Sequence, residues 1–146
     1  MLDQDIKEQL KGIFASLKTG ISFRIYAGGD STQAAEMKSF LEDVASTSPK
    51  LSVEHSQADA DAPTFEIVRN GTPTGVKFCG IPNGHEFTTL LLAVLNVDGQ
   101  GKNLPDEALV TRIKALKGPV TLRTFVSLTC TTVSYTHLTL PTKLEV

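Results

Sequence analysis

The chain has 146 residues, enough for one ordinary domain or for one small domain and part of another. A hydrophobic fraction of 40%, a charged fraction of 21% and a formal net charge of -2 are those of a soluble globular protein. They supply no electrostatic pull towards nucleic acid or an anionic membrane, and no apolar run is long enough to span a bilayer. The first residues, Met1 to Lys11, carry acidic side chains at helical spacing, so no signal or transit peptide is expected there. Two cysteines without a secretion signal point to the reducing cytoplasm, where Asn70-Gly71-Thr72 is a turn and not a glycosylation site.

Leu2, Ile6, Leu10, Ile13 and Leu17 recur every three or four residues and predict an amphipathic first helix. Ile21, Phe23 and Ile25 then alternate with Ser22, Arg24 and Tyr26, as in a strand with one buried face. Gly28-Gly29 breaks that strand, and Asp30 with Gln33 forms a capping box for a second helix. Its stripe is Ala34, Met37, Leu41 and Val44 with Phe40 alongside, and Ser48-Pro49 ends it. Leu51, Val53 and His55 mark a second strand, followed by an acidic loop containing Asp59 and Asp61. Thr64 to Arg69 and Val76 to Cys79 form a hairpin around Asn70-Gly71, with a connection of about five residues. Asn83 and Glu86 cap a third helix with a stripe of Phe87, Leu90, Leu91, Val94 and Leu95.

A β-α-β unit followed by a β-hairpin and a helix resembles the thioredoxin-like fold, an α/β arrangement with helices crossing parallel inner strands. Thioredoxin-like proteins hold a cis proline just before the hairpin's first strand, and Pro63 occupies that place by position. An ordinary trans proline ending the loop is the alternative.

Beyond Asp98-Gly99-Gln100-Gly101 the pattern starts again. Asn103 and Pro105 open a helix with Ala108, Leu109, Ile113 and Leu116 inward, and Val120 to Leu128 reads as a strand. The displacement that carries Leu17 onto Leu116 also carries Leu10 onto Leu109 and Ile21 onto Val120. It sets Phe23 on Leu122, Arg24 on Arg123 and Tyr26 on Phe125. Two tandem copies of one fold follow: residues 1–99 a first copy, and residues 100–132 the first helix and strand of a second.

Under the same displacement Cys130 falls on Ser31, at the turn from strand to helix. Orphan amide groups and the helix dipole stabilise a thiolate at such a helix N-terminus. Thioredoxin-like enzymes place the first cysteine of a Cys-x-x-Cys pair there: it attacks a disulfide, and the second cysteine resolves the mixed disulfide. The first copy has Ser31 and Ala34 at the corresponding positions and lacks this chemistry.

Several stretches resemble the N-terminal domain of the alkyl hydroperoxide reductase flavoprotein (AhpF) family over roughly residues 1 to 132. They are Met1-Leu2-Asp3, Gln9-Leu10-Lys11, Ala35 to Leu41, and Phe78-Cys79-Gly80-Ile81-Pro82-Asn83-Gly84-His85-Glu86-Phe87-Thr88. Ser127-Leu128-Thr129-Cys130 completes the set, and Gly80 to Thr88 is the most specific. The resemblance implies a parent enzyme passing electrons from NADH through FAD to a dithiol in a flavoprotein core. The N-terminal dithiol then receives them and reduces the disulfide of a peroxiredoxin, the AhpC component of alkyl hydroperoxide reductase. Cys130 would be the nucleophile facing that peroxiredoxin. No cofactor-binding residue is implied within this chain, and FAD and NADH belong to the parent.

The sequence departs from the family after Cys130: Val133 stands where the second cysteine belongs. Val133 to Lys143 resembles a sequencing adapter translated in one frame, so residues 133–146 are expected to be a non-native tail, with a genuine tail as the alternative. Without a resolving cysteine the chain alone is expected to be inactive. Two other functions remain open: a non-catalytic thioredoxin-like scaffold, and a monothiol glutaredoxin-like enzyme using Cys130. Cys79, among apolar neighbours, is expected to be buried and structural. His55, His85 and His137 have no metal-ligand spacing, and Gly28-Gly29 is not a phosphate loop.

Overall fold

The computed structural model describes residues 2–26, 28, 31–58, 60–101 and 105–127, with residue 31 by its backbone only. The residues group into two units, 1–81 and 82–146. The first unit runs α1 (Gln4–Phe14), β1 (Ile21–Tyr26), α2 (Ser31–Ala45), β2 (Leu51–Ser56), β3 (Thr64–Arg69) and β4 (Thr72–Cys79). Its four strands lie in the order β2-β1-β3-β4, with β1 parallel to β2, and β3 antiparallel to both β1 and β4. The parallel pair needs a crossover and takes it from α2, and the antiparallel pair needs only a turn. These senses are those expected of a thioredoxin-like core.

The alternation in β1 sends Ile21, Phe23 and Ile25 to one face, where Phe65 and Ile67 of β3 join them, all of them buried. Phe65 meets Phe23 edge to face, with centroids 5.9 Å apart, and stacks on Phe78 of β4 at 5.1 Å. The α2 stripe is buried as its spacing requires, at Met37, Phe40, Leu41 and Val44. In α1 the expectation needs one correction. Leu10, Phe14 and Leu17 are buried, while Ile13 is 38% exposed. The fourth residue after Leu10 stays closer to its side of a 3.6-residue helix than the third, so Phe14 takes the place assigned to Ile13.

Asp43 of α2 ties down the start of the chain. Its carboxylate accepts Lys7 Nζ–H at 2.6 Å and the Leu2 backbone N–H at 3.0 Å. The Lys7 hydrogen bond first, and then that of Leu2, hold the Asp43 carboxyl below its ordinary value. A depressed folded-state pKa stabilises above the unfolded value of about 3.9 and is lost as pH falls through the folded value. The stability gap between wild type and Asp43→Asn is therefore expected to close between about pH 5 and pH 3 in urea titrations. A gap independent of pH would show that the carboxylate charge contributes nothing.

The hairpin is tighter than the sequence implied. Asn70 and Gly71 both take positive φ, at 47° and 79°, and form a two-residue turn of the primed type that matches strand twist. β4 therefore begins at Thr72, and the residues read as loop, Pro73 and Gly75, belong to a strand with a bulge opposite Glu66 to Val68. Proline is tolerated because β4 is an edge strand, and Gly75, with φ 80°, supplies the bulge geometry.

In the second unit a 3₁₀ turn (Gly84–Glu86) leads into α3 (Phe87–Val97). Asn83 starts the turn through its carbonyl, which accepts the Glu86 N–H at 3.1 Å, and its side chain makes no capping bond. The buried stripe is Thr89, Leu90, Ala93, Val94 and Val97, whereas Phe87, Leu91 and Leu95 of the expected stripe are half-buried. α4 (Glu107–Lys114) is capped by Asp106, whose Oδ1 accepts the Leu109 N–H at 2.8 Å. The expected cap Asn103 lies outside the described residues, as does Asp30 of the α2 capping box.

Two expectations fail here. The α4 face read as inward is open, with Leu109 43% and Leu116 57% exposed. No strand forms over 119–127, where Leu122 is 74% and Phe125 87% exposed. A strand is defined by its ladder, and among the described residues no neighbour supplies one to this segment.

Candidate functional site

In this topology the end of β1, the start of α2 and the residues before β3 converge on one pole of the sheet. Tyr26 closes β1 opposite Thr64 of β3, and Thr64 is paired in turn with Cys79 of β4. Ser31 is the first residue of α2, and Ala34, where a second thiol would sit, is half-buried in its first turn. Gly28, just beyond β1, packs against the loop before β3: a Cβ there would stand 1.9 Å from the Ala60 carbonyl oxygen. Only glycine fits so close to another backbone.

Pro63 is buried beside this pole, and its carbonyl accepts the Gly80 N–H at 2.9 Å. Its peptide bond is trans, which corrects the cis assignment made by position. Trans is the ground state of an X–Pro bond, and here the Pro63 carbonyl joins β3 to the end of β4 without any reversal of the chain.

Cys79 is exposed, contrary to the buried role expected of it. Strand parity explains this. Val76 and Phe78 face the aromatic core, so Cys79 faces the other way, at the end of an edge strand. Its Sγ lies 3.5 Å from Thr64 Oγ1, which also donates to the Ala62 carbonyl at 3.0 Å. Cys130, with Leu128, Thr129 and the whole tail from Thr131, lies outside the described residues.

The sheet face opposite the aromatic core carries a feature the sequence reading missed. Glu54, Arg24, Glu66 and Lys77 occupy one row across all four strands, paired in register from β2 to β4. Arg24 Nη2 lies 3.1 Å from Glu54 Oε2, and the Ser22 hydroxyl donates to the other carboxylate oxygen. The Ser22 hydroxyl and the Arg24 guanidinium hold the Glu54 carboxyl below its ordinary value. Tyr26 donates to Glu66 at 2.7 Å, which raises the phenol's pKa, and the Gly75 N–H donates to the second Glu66 oxygen at 3.1 Å. Lys77 Nζ lies 5.2 Å from the Tyr26 ring centroid. The signal was present as charged residues at alternate strand positions, but only the register shows that they share one row.

No family model matches the chain. The AhpF flavoprotein of alkyl hydroperoxide reductase from Staphylococcus aureus (strain NCTC 8325 / PS 47) is 37% identical over 130 residues, covering 89% of this chain and 25% of that protein. A Bacillus subtilis (strain 168) protein named NADH dehydrogenase shows the same identity and coverage. The chain thus spans about a quarter of the length of the curated relatives it matches. Among solved structures, a C503A mutant of AhpF from Enterococcus faecalis (V583) superposes with a TM-score of 0.73 at 30% identity. That match covers 91% of this chain and 69% of the other. The isolated N-terminal domain of Enterococcus faecalis AhpF gives 0.74 at 28% identity, covering 98% and 76%. A protein disulfide oxidoreductase from Aeropyrum pernix K1 shares the fold, with a TM-score of 0.74 at 20% identity over 94% of this chain and 66% of that one. With a thioredoxin-like sheet and this likeness along nine-tenths of its length, the chain belongs to the AhpF family of alkyl hydroperoxide reductase flavoproteins.

Proposed function

We propose that the chain is the N-terminal part of a flavin- and NADH-dependent disulfide reductase that passes electrons through a thiol pair to a peroxiredoxin and so supports peroxide removal in the cytoplasm. The observation that carries this reading is the likeness to AhpF proteins over 130 residues, a stretch that reaches to the neighbourhood of Cys130. The internal repeat supports it. Ser31 opens α2, and Cys130 occupies the matching place in the second copy, at the N-terminus of the helix that would follow its strand.

In this reading residues 1–99 form the first fold, without a dithiol, and residues 100–132 begin the redox-active one. Residues 133–146 take no part. The first fold supports and orients the second, and the flavoprotein core of the parent chain delivers electrons to it. FAD and NADH find no cradle among the described glycines of the first copy, since Gly28 is closed against the Ala60 carbonyl. Both would be held by the rest of the parent.

Cys130 has no cysteine three positions on, so an attack by its thiolate has no resolving partner. The thiolate would form a sulfur–sulfur bond to one sulfur of a peroxiredoxin disulfide and release the other as a thiol, and the reaction would stop there. Mixing the reduced chain with an oxidised two-cysteine peroxiredoxin is therefore expected to give a stable one-to-one covalent adduct without turnover. The adduct should survive Cys79→Ser, disappear in Cys130→Ser, and dissolve on adding dithiothreitol. An adduct that depends on Cys79 would overturn the assignment. So would its absence while Cys130 reacts freely with a small thiol reagent. Steady turnover with glutathione would favour the monothiol enzyme instead.

A further inference from the structure

We propose that the polar face of the sheet is a self-association surface, and that its occupant is a second copy of this chain. The row Glu54–Arg24–Glu66–Lys77 reads minus, plus, minus, plus from one edge of the sheet to the other. Such a row is its own complement when reversed. A two-fold axis parallel to the strands turns one sheet over and inverts the order of its columns. It sets Glu54 against Lys77 of the second copy and Arg24 against Glu66 of the second copy, with both contacts repeated by symmetry. An axis along the row would instead place every charge on its own like, so the pattern selects one of the two face-to-face arrangements.

The neighbouring rows do not oppose this. Ser56, Tyr26, Thr64 and Cys79 form the row on one side of the charges. Ser22, Ser52, Val68 and Pro73 form the row on the other. None of these brings a second charge into the interface. The row is accessible: Ser52 and Lys77 are exposed, and the side chains of Arg24 and Glu54 are 26% and 39% exposed. The internal Arg24–Glu54 pair lies in the plane of the row and leaves Lys77 at the opposite edge to be met by a carboxylate from outside.

The size of the face sets the strength. Strands about 4.8 Å apart and about 20 Å long give a patch of roughly 300–400 Å² per copy. That is below the roughly 600 Å² per partner of the smallest stable interfaces. Twist limits the closest approach to the middle columns, with the sheets about 30° apart. The association is therefore weak and carried by charge, and salt weakens it strongly because the Debye length falls from about 30 Å at 0.01 M to about 3 Å at 1 M.

Sedimentation of the full chain under reducing conditions tests this. The wild type should move towards twice the monomer mass with rising concentration in about 20 mM salt and return to monomer in about 500 mM. Glu54→Lys and Lys77→Glu each turn two attractive contacts into repulsive ones and should weaken association by about 10-fold or more. An equimolar mixture of the two variants should recover the dimer, because Lys at position 54 then meets Glu at position 77 across the interface. A wild type that stays monomeric would overturn the proposal, as would a dimer that neither salt nor either variant weakens, or a mixture of folded variants that does not re-associate. Glu54 also bonds to Ser22 and Arg24; should Glu54→Lys fail to fold, Lys77→Glu alone decides, and retention of the dimer in it refutes the assignment.

Discussion

Phe65→Ala is expected to lower the free energy of unfolding by about 3–5 kcal/mol, a large share of the roughly 5–15 kcal/mol that holds a domain folded. Phe65 is fully buried on β3, the strand between β1 and β4. Its ring is held edge-on by Phe23 at an interplanar angle of 89° and face-on by Phe78 at 8°. Truncation removes both aromatic contacts together with the apolar transfer energy, and a β-strand fixed by hydrogen bonds on either side cannot move to fill the gap. Urea midpoints measured at unchanged slope read the effect directly, with exposed His55→Ala as the neutral comparison. A loss below about 1 kcal/mol would mean that this aromatic cluster is not the core of the fold.

Much of this fold was legible because its signals are local. Ile21, Phe23 and Ile25 must share a side, and Met37, Leu41 and Val44 must share a helical stripe, whatever surrounds them. Other features depend on neighbours that a single segment does not reveal. Apolar company made Cys79 look buried, but its parity relative to Phe78, fixed by the aromatic stack, turns it outward. Pro73 and Gly75 look like loop residues until β4 is known to be an edge. Pro63 was assigned cis by analogy of place, and no pattern in the flanking residues could have decided the isomer. The charge row is the same lesson in reverse: four residues on four strands, far apart in sequence, acquire meaning only through register.

The repeat explains the contrast at the far end of the chain. Leu10, Leu17, Ile21 and Phe23 are buried, whereas their counterparts Leu109, Leu116, Val120 and Leu122 are all exposed. The same residue types in the same spacing thus bury their faces where α2, β2 and β3 follow them, and leave them open in residues 105–127. This is the behaviour of a second fold represented by its opening helix and a segment without a ladder. It is also why the chemistry is assigned to the place of Cys130 and not to the first pole, where Ser31 and Ala34 stand.

Native-state amide exchange tests that division most directly. Amides of β1, β3 and the middle turns of α2, whose ladders and packing are complete, are expected to exchange at least about a thousand-fold more slowly than unstructured references. Those of residues 105–127 should exchange within about ten-fold of the unstructured rate, because α4 buries no residue and the following segment has no strand partner. That pattern is the one expected of a finished first fold and a second that lacks its core. Strong protection across 105–127, equal to that of β1 and β3, would contradict it and show that this region is folded in its own right.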